Sequence, residues 1–186
     1  MAKTAETIVR LKVALRGIRP PVWRRLLIPA TLTLGDLHRA IQAAMGWEDS
    51  HLHVFEIAER HYGDPQSVDE VANEKRLTMS GLLKSGITRF TYSYDFGDDW
   101  EHSVLIEQTQ PALADARYPA CIAGKRNCPP EDCGGPAGYQ ELLAILADPA
   151  HPEHTEWAEW IGGDFDPEAF AVQAADAAVA ARFSQK

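Results

Sequence analysis

The 186-residue sequence predicts an α+β fold with a single, mostly antiparallel or mixed sheet of five strands. Strand and helix patterns alternate over the first 110 residues in the order strand, strand, helix, strand, helix, strand, strand, and helical patterns follow. In such an order the helices cover one face or one end of the sheet. No repeat or linker divides the chain. We therefore expect one domain, residues 1–186, with an α/β core at 7–110, a loop rich in Cys, Pro and Gly at 111–137, and a helical part at 138–183.

Period-two alternation of apolar and polar residues predicts the strands. Pro20 and Pro21 separate the first two strands because proline cannot donate to a ladder. His51 and His53 would share one face of the third strand, since strand side chains repeat every second residue. The predicted strands are residues 7–18, 22–29, 51–58, 89–94 and 100–108, with a hairpin connection at 95–99. Residues 62–76 and 111–136 are predicted to be irregular.

The helices are predicted from apolar stripes and their end signals. Thr33 can cap a helix over 34–45, and Gly46 can end it. A short helix over 79–86 follows Thr78 or Ser80. Three more are predicted at 138–148, 152–162 and 166–183, the last beginning with the cap-then-proline pair Asp166–Pro167. This last helix is rich in alanine and has few large residues to bury, so we expect it to dock loosely.

Composition and charge limit the classes of function. The chain is 45% hydrophobic and 24% charged, as in soluble globular proteins. It lacks an apolar run of roughly 18 residues and a signal-type apolar region, so we expect a cytoplasmic protein without membrane association. The net charge of −9 disfavours a nucleic-acid partner. Residues 1–50 nevertheless hold eight Lys and Arg against four Asp and Glu, and six of these basic residues gather on the first two strands: Arg10, Lys12, Arg16, Arg19, Arg24 and Arg25.

A loop with three cysteines is the first candidate site. Cys121, Cys128 and Cys133 follow a C-x6-C-x4-C spacing, which lacks the paired C-x2-C knuckles of zinc ribbons and fingers. With His102 as a fourth ligand they could hold a zinc ion, which would order this long loop. Small buried thiols packed under the loop explain the same spacing. Both interpretations stay open.

The stretch YSYDFGDDWEH, residues 92–102, is the second candidate site. Four carboxylates (Asp95, Asp98, Asp99 and Glu101) and His102 fall within eight residues. Gly and Asp have backbone uses in hairpin loops, because they tolerate positive φ and bond to their own backbone. Tyr92, Tyr94, Trp100 and His102 are expected to form an aromatic layer on one side of the sheet. The spacing lacks the Asp-x-Asp-x-Asp-Gly order of an EF-hand calcium loop.

Five phrases in this order carry a resemblance to a known family: IRPPVWRRLLIP, TLGDLHRAIQAAMGW, LHVFEI, YSYDFGDDWEHSVLIE and CIAGKRNCPPEDCGGPAGY. The chain resembles the plasmid pRiA4b ORF-3-like family, whose members include passenger proteins of insertion elements labelled TnpR-like. The resemblance implies an α+β fold and no particular reaction. It directs attention to two sets of signature residues: Tyr94, Asp95, Phe96, Gly97, Asp98, Trp100 and His102 in the hairpin, and Pro130, Glu131, Asp132, Gly134, Gly135, Gly138 and Tyr139 in the loop.

Three hypotheses follow. The first is a non-enzymatic binding or regulatory module with a protein partner. In it the hairpin and the cysteine loop meet on one face, and in one version of this hypothesis a metal ion stabilises that face. The second is a metal-dependent hydrolase or nuclease, in which Asp95, Asp98 and Asp99, or Glu131 and Asp132, hold a divalent ion and His102 relays protons. The third is a DNA-binding protein that uses the basic opening strands.

Overall fold

The computed structural model describes residues 6–163 and 165–184, and it has the predicted α+β architecture with one sheet and five α-helices. The sheet has eight strands and not five, in the order β5-β4-β3-β6-β7-β1-β2-β8. All neighbouring pairs are antiparallel except β4 with β5. The strands are β1 (Thr7–Leu15), β2 (Trp23–Pro29), β3 (His53–Ile57), β4 (Arg60–Gly63), β5 (Ala72–Asn73), β6 (Arg89–Tyr94), β7 (Trp100–Pro111) and β8 (Ala120–Lys125).

Three strands were not predicted, and each is short or weakly patterned. β4 begins just before the polar segment 62–76 that was predicted to be a surface loop and ends within it. β5 lies inside that segment and has only two residues. β8 has the sequence ACIAGK, whose small residues resemble loop composition. It is held at the edge of the sheet by pairing with β2, where a register shift occurs between Arg25 and Leu26. Pairing with neighbouring strands determines these three elements, and local propensity does not. β4 pairs with β3 and β5 with β4, whereas β8 pairs with the sequence-distant β2.

The helices are α1 (Leu34–Met45), α2 (Met79–Lys84), α3 (Gly135–Ala147), α4 (His154–Trp160) and α5 (Val172–Ser184). α1 has the predicted bounds. Thr33 and Asp36 form a capping box, in which the Asp36 amide donates to Thr33 Oγ1 at 3.2 Å and the Thr33 amide donates to Asp36 Oδ2 at 3.0 Å. Gly46 ends the helix at φ +89°, a conformation that suits glycine.

The predicted start of the last helix at Asp166–Pro167 is wrong, because α5 begins only at Val172. Asp166 Oδ1 instead accepts the Glu168 amide at 2.9 Å in a local turn, and the Pro167 carbonyl accepts the Asn127 amide at 3.0 Å. The segment before α5 therefore lies along the end of β8. α5 then packs on α1 and β8, with Val179 fully buried.

The core lies between one face of the sheet and the helices. Inward side chains of the central strands are buried against α1, including Leu11, Leu26, Phe55 and Val104. The opposite face carries half-buried polar residues, as expected for an antiparallel sheet with one solvated side. Among the described residues, no helix has the length and apolar character needed to cross a bilayer.

Candidate functional site

The turn between β6 and β7 is built by its own aspartates. Asp95 Oδ1 accepts the Gly97 amide at 2.9 Å and the Asp98 amide at 3.4 Å, and the Asp95 carbonyl accepts the Asp99 amide at 2.6 Å. Asp95 and Asp99 both have positive φ, +58° and +54°. Aspartate tolerates this conformation because its short polar side chain bonds locally. One oxygen of Asp95 thus shapes the turn, and Oδ2 remains for other contacts.

The loop from Pro129 to Gly135 lies against this turn. The Gly134 amide donates to Asp98 Oδ2 at 3.1 Å. Gly135 has φ +68°, and a Cβ added there would lie 2.2 Å from the Asp98 carbonyl oxygen. Only glycine allows so close an approach between the two backbones. The two signature segments therefore form one continuous surface.

A carboxylate of this loop also joins it to the chain that follows α1. Glu131 Oε2 accepts the Glu48 amide at 2.8 Å, and Oε1 accepts the Ser50 hydroxyl at 3.2 Å and the hydroxyl of buried Tyr94. Tyr94 Oη in turn accepts the Ser50 amide at 3.0 Å and the His51 amide at 3.3 Å. Burial and the neighbouring Glu131 raise the pKa of Tyr94 to about 12, so its hydroxyl stays protonated and can donate to Glu131.

Three donor atoms from separate segments converge beside this network. His51 Nε2 lies 3.6 Å from Asp95 Oδ2 and 3.2 Å from Asp132 Oδ1. One atom from each of the three residues lies within 4.8 Å of the others, which makes this the one group of three or more His, Cys, Asp or Glu ligands in the described part of the chain. His51 lies before β3 and not within it, so the prediction that His51 and His53 share a strand face is wrong. The contact to the β6–β7 turn, where Leu52 O accepts the Asp95 amide at 2.8 Å, places His51 here.

The cysteines and His102, predicted as an alternative zinc site, are not gathered as ligands in the described residues. His102 is fully buried, its Nδ1 lies 3.2 Å from the Tyr92 carbonyl oxygen, and its ring packs on Trp47 and Tyr92. Trp47 Nε1 donates to the Pro129 carbonyl at 2.9 Å, so an indole ring connects His102 to the cysteine loop.

The three thiols are buried and reduced. Burial raises the pKa of Cys121 to about 11 and that of Cys133 to about 12, and it raises the pKa of Cys128 further above its usual value. A protonated thiol is a poor nucleophile and a poor metal ligand. The arrangement agrees with the packing interpretation of the spacing.

The remaining signature residues have structural surroundings. Trp100 and Tyr139 are fully buried, and Tyr139 packs edge-on against Phe165. Gly138 lies in the first turns of α3, where an added Cβ would be 2.0 Å from the Cys133 carbonyl oxygen. Pro130 borders an open depression of about 450 Å³ between the loop, the α1 end and Phe165. Phe96 at the tip of the turn is 50% exposed.

A second polar cluster was not predicted from the sequence. The rings of His38 and His53 stack at a centroid distance of 3.5 Å and an interplanar angle of 6°. His38 contacts Tyr92 Oη at 2.8 Å and Asp49 Oδ1 at 2.6 Å, and His53 contacts Glu74 Oε2 at 2.7 Å. Burial lowers the pKa of His38 despite the hydrogen bond to Asp49. These residues come from five segments with no motif between them, and only the buried position of His38 on the apolar face of α1 could have indicated the cluster.

Four of the six basic residues of the opening strands make hydrogen bonds or ion pairs within the chain. Arg24 is buried and donates to the carbonyls of Ala44, Trp23, Lys125 and Arg126. Arg10 and Arg25 both pair with Glu107, at 3.0 and 2.8 Å. Arg16 pairs with Glu101 at 3.2 Å. Successive side chains of β2 alternate between the two faces of the sheet, as expected. Arg24 therefore points inward and Arg25 points outward.

These features define a two-layer α+β module whose two signature segments meet on one face. The chain belongs to the plasmid pRiA4b ORF-3-like family, whose model matches residues 7–174. The resemblance seen in the sequence is thereby confirmed.

Two relatives are similar over most of their length. An uncharacterised protein, y4hQ, from Sinorhizobium fredii is 44% identical over 146 residues, which cover 77% of this chain and 75% of the relative. A crystal structure of a protein of unknown function, MM3350 from Methanosarcina mazei Go1, is 40% identical, with a TM-score of 0.85 over 91% of this chain and 98% of that one. The solved relative shares the fold, and the names of both describe proteins without a known function.

Proposed function

We propose that this protein is a non-enzymatic binding module and that its partner is a protein segment combining basic and apolar residues. The observation that carries the proposal is the composition of the face formed by the β6–β7 turn and the 129–135 loop, called here the signature face. Phe96 is 50% exposed and Leu52 is 44% exposed. The Leu52 carbonyl accepts the amide of Asp95, the neighbour of Phe96, so the two apolar residues lie on adjoining segments.

Four carboxylates lie on the segments that carry or contact these apolar side chains. Asp98 and Asp99 lie in the β6–β7 turn, Asp132 lies in the 129–135 loop, and Glu48 lies in the segment after α1. Among the described residues none of them pairs with a lysine or arginine. Exposed aromatic and aliphatic residues within a charged rim are typical of protein interfaces. Acidic rims attract basic partners and fix their orientation. The charge of the face therefore selects a cationic segment.

The hydrogen bonds that hold the loops of the signature face support binding more than catalysis. Glu131 is fully engaged with Glu48, Ser50 and Tyr94, and Asp98 holds the Gly134 amide. The hydrolase hypothesis requires His102 beside the carboxylates, whereas that side chain is fully buried under Trp47. A rigid surface of this kind loses little conformational entropy when a partner binds.

The test is selection of a random peptide display library on the immobilised protein. We expect enrichment of peptides that combine Lys or Arg with aromatic or aliphatic residues. The selected peptides, measured by fluorescence anisotropy, should bind the Phe96→Ser variant at least about tenfold more weakly, the range of an interface anchor. Affinity should also fall as salt rises, because the rim charges are exposed.

Leu113→Ser is the matched control, since Leu113 is 65% exposed but follows the opposite end of β7. Binding to this variant should equal binding to the unaltered protein. Enrichment of acidic peptides, an absence of enrichment, or equal loss in the Phe96 and Leu113 variants would each overturn the proposal.

A further inference from the structure

We infer that His51, Asp95 and Asp132 form a binding site for a divalent first-row transition metal ion, with Zn²⁺ as the best match. The inference does not depend on partner binding by the signature face. It differs from the cysteine site predicted from the sequence, because it uses one imidazole nitrogen and two carboxylate oxygens. This donor set suits Zn²⁺ and related ions better than the all-oxygen sites of Mg²⁺ and Ca²⁺.

The two distances from His51 Nε2 to the carboxylate oxygens match tetrahedral coordination. Zinc bonds to nitrogen and oxygen are about 2.0–2.1 Å long, so two ligands of one tetrahedral ion lie about 3.3 Å apart. The His51 Nε2 distances of 3.2 Å to Asp132 Oδ1 and 3.6 Å to Asp95 Oδ2 bracket this value. All three atoms lie within 4.8 Å of one another. Three protein ligands leave a fourth position for water or for a group from another molecule.

Two of the ligands, His51 and Asp95, have ligand atoms that are incompletely used. His51 Nε2 is buried from solvent and makes no hydrogen bond with the described residues. Asp95 is only 8% exposed, and the turn amides occupy Oδ1 and leave Oδ2 facing His51. A buried polar atom without a hydrogen bond is costly and calls for a specific partner. A metal ion would satisfy the nitrogen and neutralise the two carboxylates together.

Neighbouring groups orient the ligands. Tyr94 Oη accepts the His51 amide, and the His51 ring lies edge-on to Tyr94 at a centroid distance of 5.8 Å. Glu131, the residue before Asp132, is held by Glu48, Ser50 and Tyr94. Groups that hydrogen-bond to metal ligands and fix their orientation raise metal affinity in known sites. The three ligands come from three segments, so the ion would join the start of β3, the β6–β7 turn and the cysteine loop.

Direct contact between His51 and the two carboxylates, without a metal ion, is the competing explanation of the same geometry. The experiment separates the two. Full-length protein freed of metal with a chelator is titrated with Zn²⁺ by isothermal titration calorimetry, and the bound metal is counted by elemental analysis. We expect one Zn²⁺ per chain, a higher melting temperature with Zn²⁺, and no comparable effect of Mg²⁺. No Zn²⁺ binding would favour the contact without a metal ion and overturn the inference.

Substitutions of the three proposed ligands test whether these residues hold the ion. His51→Ala, Asp95→Asn and Asp132→Asn should each weaken Zn²⁺ binding by at least about tenfold, the smaller end of known losses around metal sites. Asp132 has a 68% exposed side chain, so this variant folds even if the other two do not. Asp99→Asn is the matched control, because Asp99 lies in the same turn with the same positive φ and outside the cluster. It should bind Zn²⁺ normally.

Cysteine ligation is tested in parallel. A Cys133→Ser variant should retain Zn²⁺, and the Co²⁺-substituted protein should lack a thiolate-to-metal charge-transfer band. Zn²⁺ binding that survives Asp132→Asn but is lost in Cys133→Ser would move the metal to the thiols and overturn the assignment to His51, Asp95 and Asp132.

Discussion

Two fully buried tyrosines, Tyr94 and Tyr139, differ in the partners of their hydroxyl groups. Tyr94 Oη accepts two backbone amides and donates to Glu131. Tyr139 Oη is buried and has no hydrogen-bond partner among the described residues. A buried hydroxyl stabilises the fold only when it is satisfied. The same chemical change, Tyr to Phe, should therefore have opposite consequences at the two positions.

We expect Tyr94→Phe to lower the free energy of unfolding by about 1–3 kcal/mol, because it leaves the Ser50 and His51 amides without this acceptor and removes one of the donors to Glu131. Tyr139→Phe should change it by less than about 0.5 kcal/mol or increase it, since it removes an unsatisfied group. Chemical denaturation of the two variants measures both values. Equal destabilisation would show that the Tyr94 network contributes nothing beyond ring packing.

His102 makes stability depend on pH. Burial lowers its pKa to about 4 from an ordinary value of 6.5. The unfolded chain therefore takes up this proton at higher pH than the folded protein does. The contribution is fully present above pH 6.5 and is lost as pH falls from 6.5 towards 4, by about 3 kcal/mol in total.

Denaturation of the His102→Gln variant between pH 7 and pH 4 tests this contribution. The variant should show a shallower decline in stability than the unaltered protein, because glutamine does not titrate. His61→Gln is the control, since His61 is exposed, and it should keep the full decline. Parallel declines in all three proteins would mean that His102 does not titrate as its burial implies.

At the scale of elements, the start of α3 depends on glycines that lie very close to the backbone of neighbouring segments. Helix propensity favours alanine over glycine by up to about 1 kcal/mol, so Gly138→Ala would stabilise an isolated helix. Here the added Cβ would lie 2.0 Å from the Cys133 carbonyl oxygen. Backbone cannot move away as a flexible side chain can. We expect Gly138→Ala to destabilise the protein by about 2 kcal/mol or more, within the range of overpacked sites.

Gly81→Ala in α2 provides the comparison. Its Cβ would lie 2.9 Å from the end of the flexible Leu77 side chain, which can rotate away. The cost should stay below about 1 kcal/mol, and thermal denaturation of both variants gives the difference. Stabilisation by Gly138→Ala would contradict the close approach of α3 to the cysteine loop.

The elements that the sequence predicted well have complete local signals. α1 has its capping residues, its apolar stripe and Gly46, and each signal acts within one helical turn. β8 and the late start of α5 have no such signal. β8 depends on pairing with β2, about 95 residues earlier in the chain, and Asp166–Pro167 makes a turn because Asn127 bonds to it. Long-range contacts override local propensity in both cases.

The residues of the candidate site also divide into those that the local sequence could identify and those that it could not. Asp95, Asp98, Glu131 and Asp132 were identified because they are dense in sequence, and the structure brings their two loops together. His51 was assigned to a strand but lies before it. His102 was assigned both to an aromatic layer and to a zinc site, and it is buried beside the rings of Trp47 and Tyr92. The bend before β3 directs His51 towards Asp95, while alternation along β7 directs His102 into the core. A period-two pattern cannot show where a strand begins, and one residue decides the face.

At the scale of the whole molecule, α5 closes the fold by packing on α1 and β8. Asp176 Oδ1 accepts the Cys121 amide at 2.9 Å, and Oδ2 pairs with Arg117 at 2.6 Å. Arg182 pairs with Asp49 at 2.8 Å. The sequence suggested loose docking because the helix is rich in alanine, but small side chains let the helix approach closely while these polar contacts and buried Val179 hold it.

We expect Val179→Asp to release α5 from the sheet, because the substitution would bury an unpaired charge on the inner side of the helix. Amide hydrogen exchange should then be at least about tenfold faster at Cys121, a change of about 1.4 kcal/mol in local opening. The Val13 amide in central β1 should keep its protection, since its strand partners β2 and β7 are unaffected. Ala177→Asp, on the exposed side of the same helix, should leave both amides unchanged. Equal loss of protection at Cys121 and Val13 would mean that α5 and the sheet unfold as one unit, and unchanged exchange at Cys121 would mean that Val179 does not hold the helix in place.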